Sequence, residues 1–117
     1  YTMERKAFGE SISSFQNTRY VLADIKTEIE LNKALAEKFT KKFVEGDLSS
    51  HEASMVKLAA SEMQGRVADR CLQLFGGYGY MTEYKISRAF VDARIQRIYG
   101  GTSEIMKELI SRSLVGR

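Results

Sequence analysis

The sequence contains no proline and no tryptophan, and only one cysteine and one histidine, in 117 residues. With no second thiol, Cys71 has no intramolecular partner, so a disulfide scaffold is excluded and a reducing, intracellular setting is expected. His51 has no second histidine or cysteine at metal-ligand spacing, which argues against a metal site. A hydrolytic triad is set aside as well, because His51 beside Glu52 reads as a solvated residue in the first turn of a helix. Cys71 falls on an apolar stripe, where a small core residue is a better account than a reactive thiol. No apolar run approaches the roughly 20 residues that span a bilayer, and the charged opening Tyr1-Thr2-Met3-Glu4-Arg5-Lys6 does not read as a signal peptide. A soluble protein without a membrane span is expected.

Neither sign of charge dominates: 18 basic and 15 acidic residues leave +3. The two signs are interleaved, as in Glu37-Lys38-Phe39-Thr40-Lys41-Lys42-Phe43-Val44-Glu45, so no basic face is set apart for nucleic acid. With 44% hydrophobic and 28% charged residues, the composition is that of one globular domain and outside the disordered class.

What is present is helical periodicity. Between residues 17 and 45, Leu22, Ile25, Ile29, Ala36, Phe39 and Phe43 trace one helix face in steps of three, four and seven. Such a helix is about 45 Å long. Gly46-Asp47-Leu48-Ser49-Ser50 stops it and supplies a serine cap for the next, and so short a link makes the two antiparallel. The second helix is expected over 51–75, with Val56, Ala59, Ala60, Met63, Val67, Cys71 and Leu74 on one stripe. Its small residues Ala59, Ala60, Gly65 and Ala68 favour close approach of neighbours. A shorter helix over 84–93 buries Ile86 and Phe90, and a last one from Thr102 buries Ile105, Leu109 and Ile110. The fold class is all-α, an up-and-down four-helix bundle. The opening residues, with a turn at Gly9, read as the tail of an earlier helix, and the start on Tyr1 suggests a piece of a longer polypeptide.

Five of the nine glycines cluster, in Gln73-Leu74-Phe75-Gly76-Gly77-Tyr78-Gly79-Tyr80 and in Ile98-Tyr99-Gly100-Gly101-Thr102-Ser103-Glu104-Ile105. Adjacent glycines end a helix, and they also let backbone approach a ligand without a Cβ in the way. The second cluster feeds a helix N-terminus, whose unpaired N–H groups suit an anionic partner, although Thr102 or Ser103 as a simple cap, with Glu104 in the first turn, explains the same residues. Arg5-Lys6-Ala7-Phe8-Gly9 adds a guanidinium able to grip phosphate with two parallel hydrogen bonds.

Taken in order, Arg5-Lys6-Ala7-Phe8-Gly9, Phe15-Gln16, Gln73 to Tyr80, Asp92-Ala93-Arg94 and Ile98 to Ile105 resemble the C-terminal helical domain of the acyl-CoA dehydrogenases across essentially all of residues 1–117. The resemblance implies a flavoenzyme that oxidises an acyl-CoA thioester to the trans-2-enoyl-CoA with FAD, reoxidised by an electron-transferring flavoprotein, in the bacterial cytoplasm or the mitochondrial matrix. It implies that Arg5 binds the FAD pyrophosphate with Phe8, Phe15 and Gln16 beside the cofactor, and that Gln73, Leu74, Phe75, Gly76 and Gly77 close over its adenosine and pyrophosphate end. In the family these groups reach the FAD of a neighbouring subunit, whereas Thr102, Ser103 and Glu104 touch their own, so a homo-oligomer, dimer or tetramer, is implied. Gly101 matches a position whose backbone lies against the acyl-CoA.

The chain departs from the family pattern at two places. Where many members carry a glutamate that removes the α-proton, this chain has Gly100, which resembles the long-chain and isovaleryl branches whose base sits on an earlier helix. No catalytic base is therefore assigned within residues 1–117, and Glu104 is not put in its place. Lys85 stands where the family commonly has proline after Glu-Tyr. Two other readings compete: the same architecture serving an acyl-CoA or nitroalkane oxidase, and a helical oligomerisation module whose glycines are only caps.

Overall fold

A computed structural model describes residues 1–116. The chain forms a short hairpin, a 3-10 turn and four helices: β1 (Lys6–Ala7), β2 (Glu10–Ser11), the 3-10 segment Ile12–Ser14, α1 (Gln16–Val44), α2 (Ser50–Phe75), a second 3-10 segment Gly76–Tyr80, α3 (Lys85–Ile95) and α4 (Ser103–Val115). The four-helix, all-α reading holds, with α2 at the centre: α1, α3 and α4 each pack against it.

The opening differs from the expected helical tail. Residues 1–5 make one turn, with the Arg5 N–H on the Tyr1 carbonyl at 2.8 Å, and then Lys6 pairs with Ser11 and Ala7 with Glu10 in an antiparallel hairpin. Phe8 (φ 54°) and Gly9 (φ 84°) form its two-residue turn, both in the left-handed region that suits the twist of the flanking strands.

The helix ends follow from local chemistry. At the end of α1 the Asp47 N–H bonds the Lys42 carbonyl and the Gly46 N–H bonds that of Phe43, the paired closure that a left-handed glycine (φ 76°) allows. Three residues on, Ser49 opens α2 with a reciprocal cap: its Oγ accepts the Glu52 N–H at 3.3 Å, while its own N–H donates to the Glu52 carboxylate at 3.0 Å. The Lys42 ammonium reaches the same carboxylate at 2.5 Å, tying the end of α1 to the start of α2.

The core is thin. Ile25 and Phe39 of α1, Ala68 of α2, Ala93 of α3 and Met106 of α4 are buried, together with the small polar residues Thr18, Ser54, Ser61, Ser87 and Ser103. Of the small α2 residues expected at helix crossings, Ala68 is buried and Ala59, Ala60 and Gly65 are half-buried. The expected stripes are only partly covered: Leu22 and Phe43 at the ends of the α1 stripe are exposed, and in α4 it is Met106, not Ile105, that turns inward. Ile86, Phe90, Leu109 and Ile110 are half-buried. Cys71 is half-buried too, and burial pushes its thiol up, as fits a core residue and not a thiolate.

Candidate functional site

Two glycine-rich bends flank α2, and each borders its own depression. The first lies where α2 runs out. Phe75 ends the helix, and Gly76 continues with φ 59° and ψ −141°, a conformation side-chain-bearing residues avoid. Tyr1 stacks on Phe75 with ring centroids 4.1 Å apart, and its hydroxyl donates to the Phe75 carbonyl at 3.1 Å. Tyr84 meets Phe75 edge-on at 5.9 Å and lies tilted against Tyr78 at 5.3 Å. These four rings make a wall. Above it the Arg5 guanidinium lies over the Tyr78 ring, 5.3 Å from its centroid.

A cleft of about 670 Å³ opens here between the hairpin and the end of α2. Arg5, Phe15, Gln73, Leu74, Phe75, Gly76 and Gly77 all line it, so seven of the residues singled out from sequence come together. Among the described residues Arg5 has no ion-pair partner. A Cβ on Gly77 would meet nothing within 4 Å. Phe8 and Gln16 are not among the lining residues. Phe8 sits on the hairpin tip, 98% exposed and edge-on to Phe15 at 6.4 Å, while the Gln16 amide donates to the Tyr20 hydroxyl.

The second bend runs from Tyr99 into α4. Gly100 (φ 62°) and Gly101 (φ 98°) are both left-handed, and Thr102 caps the helix by accepting the Ile105 N–H at 3.2 Å. Ser103 turns inward: it is 5% exposed, its hydroxyl donates to Glu62 at 2.7 Å and its N–H to the Arg97 carbonyl at 3.0 Å. The Ser103 hydroxyl holds the Glu62 carboxyl below its ordinary value, and the Arg97 guanidinium adds to this against a desolvation that works the other way. Glu104 remains exposed, its carboxyl lowered by its own backbone N–H and by the Thr102 hydroxyl. Thr102, Ser103 and Glu104 border a shallow depression of about 120 Å³ with Glu62 and Arg97, sharing no residue with the first cleft.

The profile of the acyl-CoA dehydrogenase C-terminal domain matches residues 1–115. The chain belongs to the acyl-CoA dehydrogenase family. It is 49% identical over 115 residues to the mitochondrial long-chain specific acyl-CoA dehydrogenase of Rattus norvegicus, covering 98% of this chain and 27% of that one. Among solved structures, it matches an acyl-CoA dehydrogenase from Geobacillus kaustophilus with a TM-score of 0.95 at 41% identity, over 97% of this chain and 30% of that one. It also matches a glutaryl-CoA dehydrogenase from Mycobacterium smegmatis in complex with FADH2, with a TM-score of 0.95 at 27% identity, over 100% of this chain and 30% of that one. The chain thus spans less than a third of the length of these acyl-CoA dehydrogenases.

Within this acyl-CoA dehydrogenase domain, Lys85 occupies the first position of α3, after an extended Tyr84 (φ −86°, ψ 130°). That is the helical position where proline fits best, so lysine there keeps the helix start that a proline gives. The family pattern carried no sign of Tyr1 as a wall of the cleft, because its contact with Phe75 spans 74 positions. Lys57 and Glu62 of α2, which reach the second bend, carry no motif either. No helix is long and apolar enough to cross a membrane, and no group of three or more metal-ligating side chains gathers, both among the described residues.

Proposed function

We propose that the chain is the C-terminal helical domain of a longer FAD-dependent acyl-CoA dehydrogenase, in which it holds cofactor and builds subunit contacts. The observation that carries this reading is the cleft that Arg5, without an ion-pair partner among the described residues, lines together with the Gly76-Gly77 bend. The fit to a diphosphate is good on three counts. Among the described residues no carboxylate competes for the guanidinium, the bend carries no side chain at Gly77, and the volume admits a group of that size. In this reading Arg5 would hold the FAD pyrophosphate and Gln73 to Gly77 would close over its adenosine and pyrophosphate end, with Phe8, Phe15 and Gln16 beside the cofactor. Bound FAD supplies the hydride acceptor for α,β-dehydrogenation of an acyl-CoA thioester to the trans-2-enoyl-CoA.

At the second bend Thr102 and Glu104 face cofactor and the Gly101 backbone lies against acyl-CoA. Ser103 contributes by position, since its hydroxyl and N–H are both engaged inside the domain. Gly100 bears no carboxylate, and the resemblance to the long-chain and isovaleryl branches implies that the group taking the α-proton belongs to a part of the full enzyme outside these residues.

The separation of the two depressions supports a shared arrangement, in which the first cleft serves the FAD of a second subunit and the second bend serves its own. Exposed Phe8, Phe43 and Val44 supply apolar surface for a homo-oligomer. The electron acceptor in this reading is an electron-transferring flavoprotein, and the setting is the bacterial cytoplasm or mitochondrial matrix. The test is made on the full-length protein, which should purify yellow and bleach anaerobically with an acyl-CoA. Failure with acyl chains of every length rejects the reading, and rapid recolouring in oxygen shifts it to an oxidase.

A further inference from the structure

α2 holds the second bend at two points. Lys57, half-buried, donates from Nζ to the Gly101 carbonyl at 2.5 Å across 44 positions of sequence. Five residues on, about 7.5 Å along the axis, Glu62 accepts the Ser103 hydroxyl at 2.7 Å and the Arg97 guanidinium at 3.2 Å. Gly100 and Gly101, consecutive residues of positive φ, lie at the first of these points.

The peptide linking Gly101 to Thr102 is planar and trans, so its C=O and N–H point in opposite directions. A carbonyl drawn to the Lys57 ammonium therefore turns the Thr102 N–H away from that ammonium. Among the described residues this N–H has no acceptor. The bond to Lys57 is charge-assisted and partly shielded from water, the conditions under which one hydrogen bond can set the orientation of a glycine peptide. The Glu62 bond to Ser103 holds the start of α4 but makes no contact with the Gly101–Thr102 peptide itself.

We propose that Lys57 is a positioning residue that fixes the Gly101–Thr102 peptide and so sets which backbone groups of the bend face the reacting molecules. The proposal rests on the reading above, in which this bend lies against cofactor and acyl-CoA. Removal of the ammonium should leave fold and flavin in place while loosening the bend alone.

The test compares the full-length enzyme with Lys57→Met and Lys57→Arg, following amide hydrogen exchange, thermal midpoint, flavin content and the rate of anaerobic bleaching. In Lys57→Met, exchange at residues 100–103 should accelerate with α2 and α4 otherwise unchanged. Bleaching should slow about tenfold at unaltered flavin content, and Lys57→Arg should restore most of both. Unchanged exchange at 100–103, or wild-type bleaching in spite of faster local exchange, overturns the proposal. So does faster exchange throughout α2 and α4 with a lowered midpoint, which marks a general structural role. If Lys57→Met does not fold, Lys57→Gln is read by the same criteria. If the wild type bleaches with no acyl-CoA, the dehydrogenase reading fails, whereas the exchange pattern still decides for or against Lys57.

Discussion

Arg5 rests on the face of Tyr78, its guanidinium carbon 5.3 Å from the ring centroid, so the hairpin and the end of α2 are joined by a cation on an aromatic platform. Stacking leaves the N–H edge of the guanidinium open for a bidentate anion. Arg5→Lys keeps the charge and loses the fork. In the full-length protein it should weaken FAD binding about tenfold, and Arg5→Ala should weaken it further, by up to about a hundredfold. Flavin absorbance after dialysis measures both.

Gly77 and Gly79 make a paired test, because they stand in one 3-10 segment with opposite surroundings. A Cβ on buried Gly79 would lie 2.6 Å from the Leu72 carbonyl oxygen, a backbone atom that cannot easily yield. Gly79→Ala should destabilise by about 1–3 kcal/mol. Gly77→Ala meets open space and should melt like the wild type, yet retain less flavin if the bend approaches the cofactor. Thermal melts and flavin content, read together, separate the two effects.

The Glu52 carboxyl is held down to about 2, first by the Lys42 ammonium and then by the backbone and hydroxyl of Ser49. A carboxyl depressed in the folded state stabilises it above the unfolded pKa of about 4.3, and this contribution fades as pH falls toward the folded value. Glu52→Gln should therefore melt below the wild type at pH 7. The gap should narrow between about pH 4 and pH 2, and a gap that persists unchanged at pH 3 counts against the Ser49 cap and the Lys42 pairing of this carboxylate.

Ser103 and Thr102 are adjacent but do different work. Ser103→Ala removes a donor from Glu62 inside the domain and should cost about 1 kcal/mol, with flavin affinity unchanged. Thr102→Ala removes the α4 cap, at a cost of about 1 kcal/mol, and should also lower flavin affinity. Urea unfolding and flavin titration of both variants check the assignment.

The helices were legible because their boundaries are written locally. α1 and α2 fall within one residue of the expected 17–45 and 51–75, since Gly46 and Ser49 act on their own neighbours. The hairpin was not legible: two-residue strands are too short to show alternation, and Phe8 at positive φ is a residue no turn rule favours. The outward turn of Ile105 and Phe43 escaped for a different reason. Periodicity marks a face as apolar but does not say whether this chain or another covers it. Seven of the residues that line the cleft stood out in the sequence because each lies in a contiguous motif, though Phe8 and Gln16 from the same motifs lie outside it, whereas Tyr1, Tyr84, Lys57 and Glu62 act through contacts that only the tertiary arrangement creates.

With Lys57 gripping one bend and Phe75 terminating at the other, α2 is a ruler whose 18 intervening steps set a span of about 27 Å. Adding or removing a single residue between Met63 and Leu72 would shift one depression by about 1.5 Å and rotate it by roughly 100° about the rod, leaving each intact but out of phase. The length of that segment is therefore under tighter geometric constraint than the identity of most side chains along it.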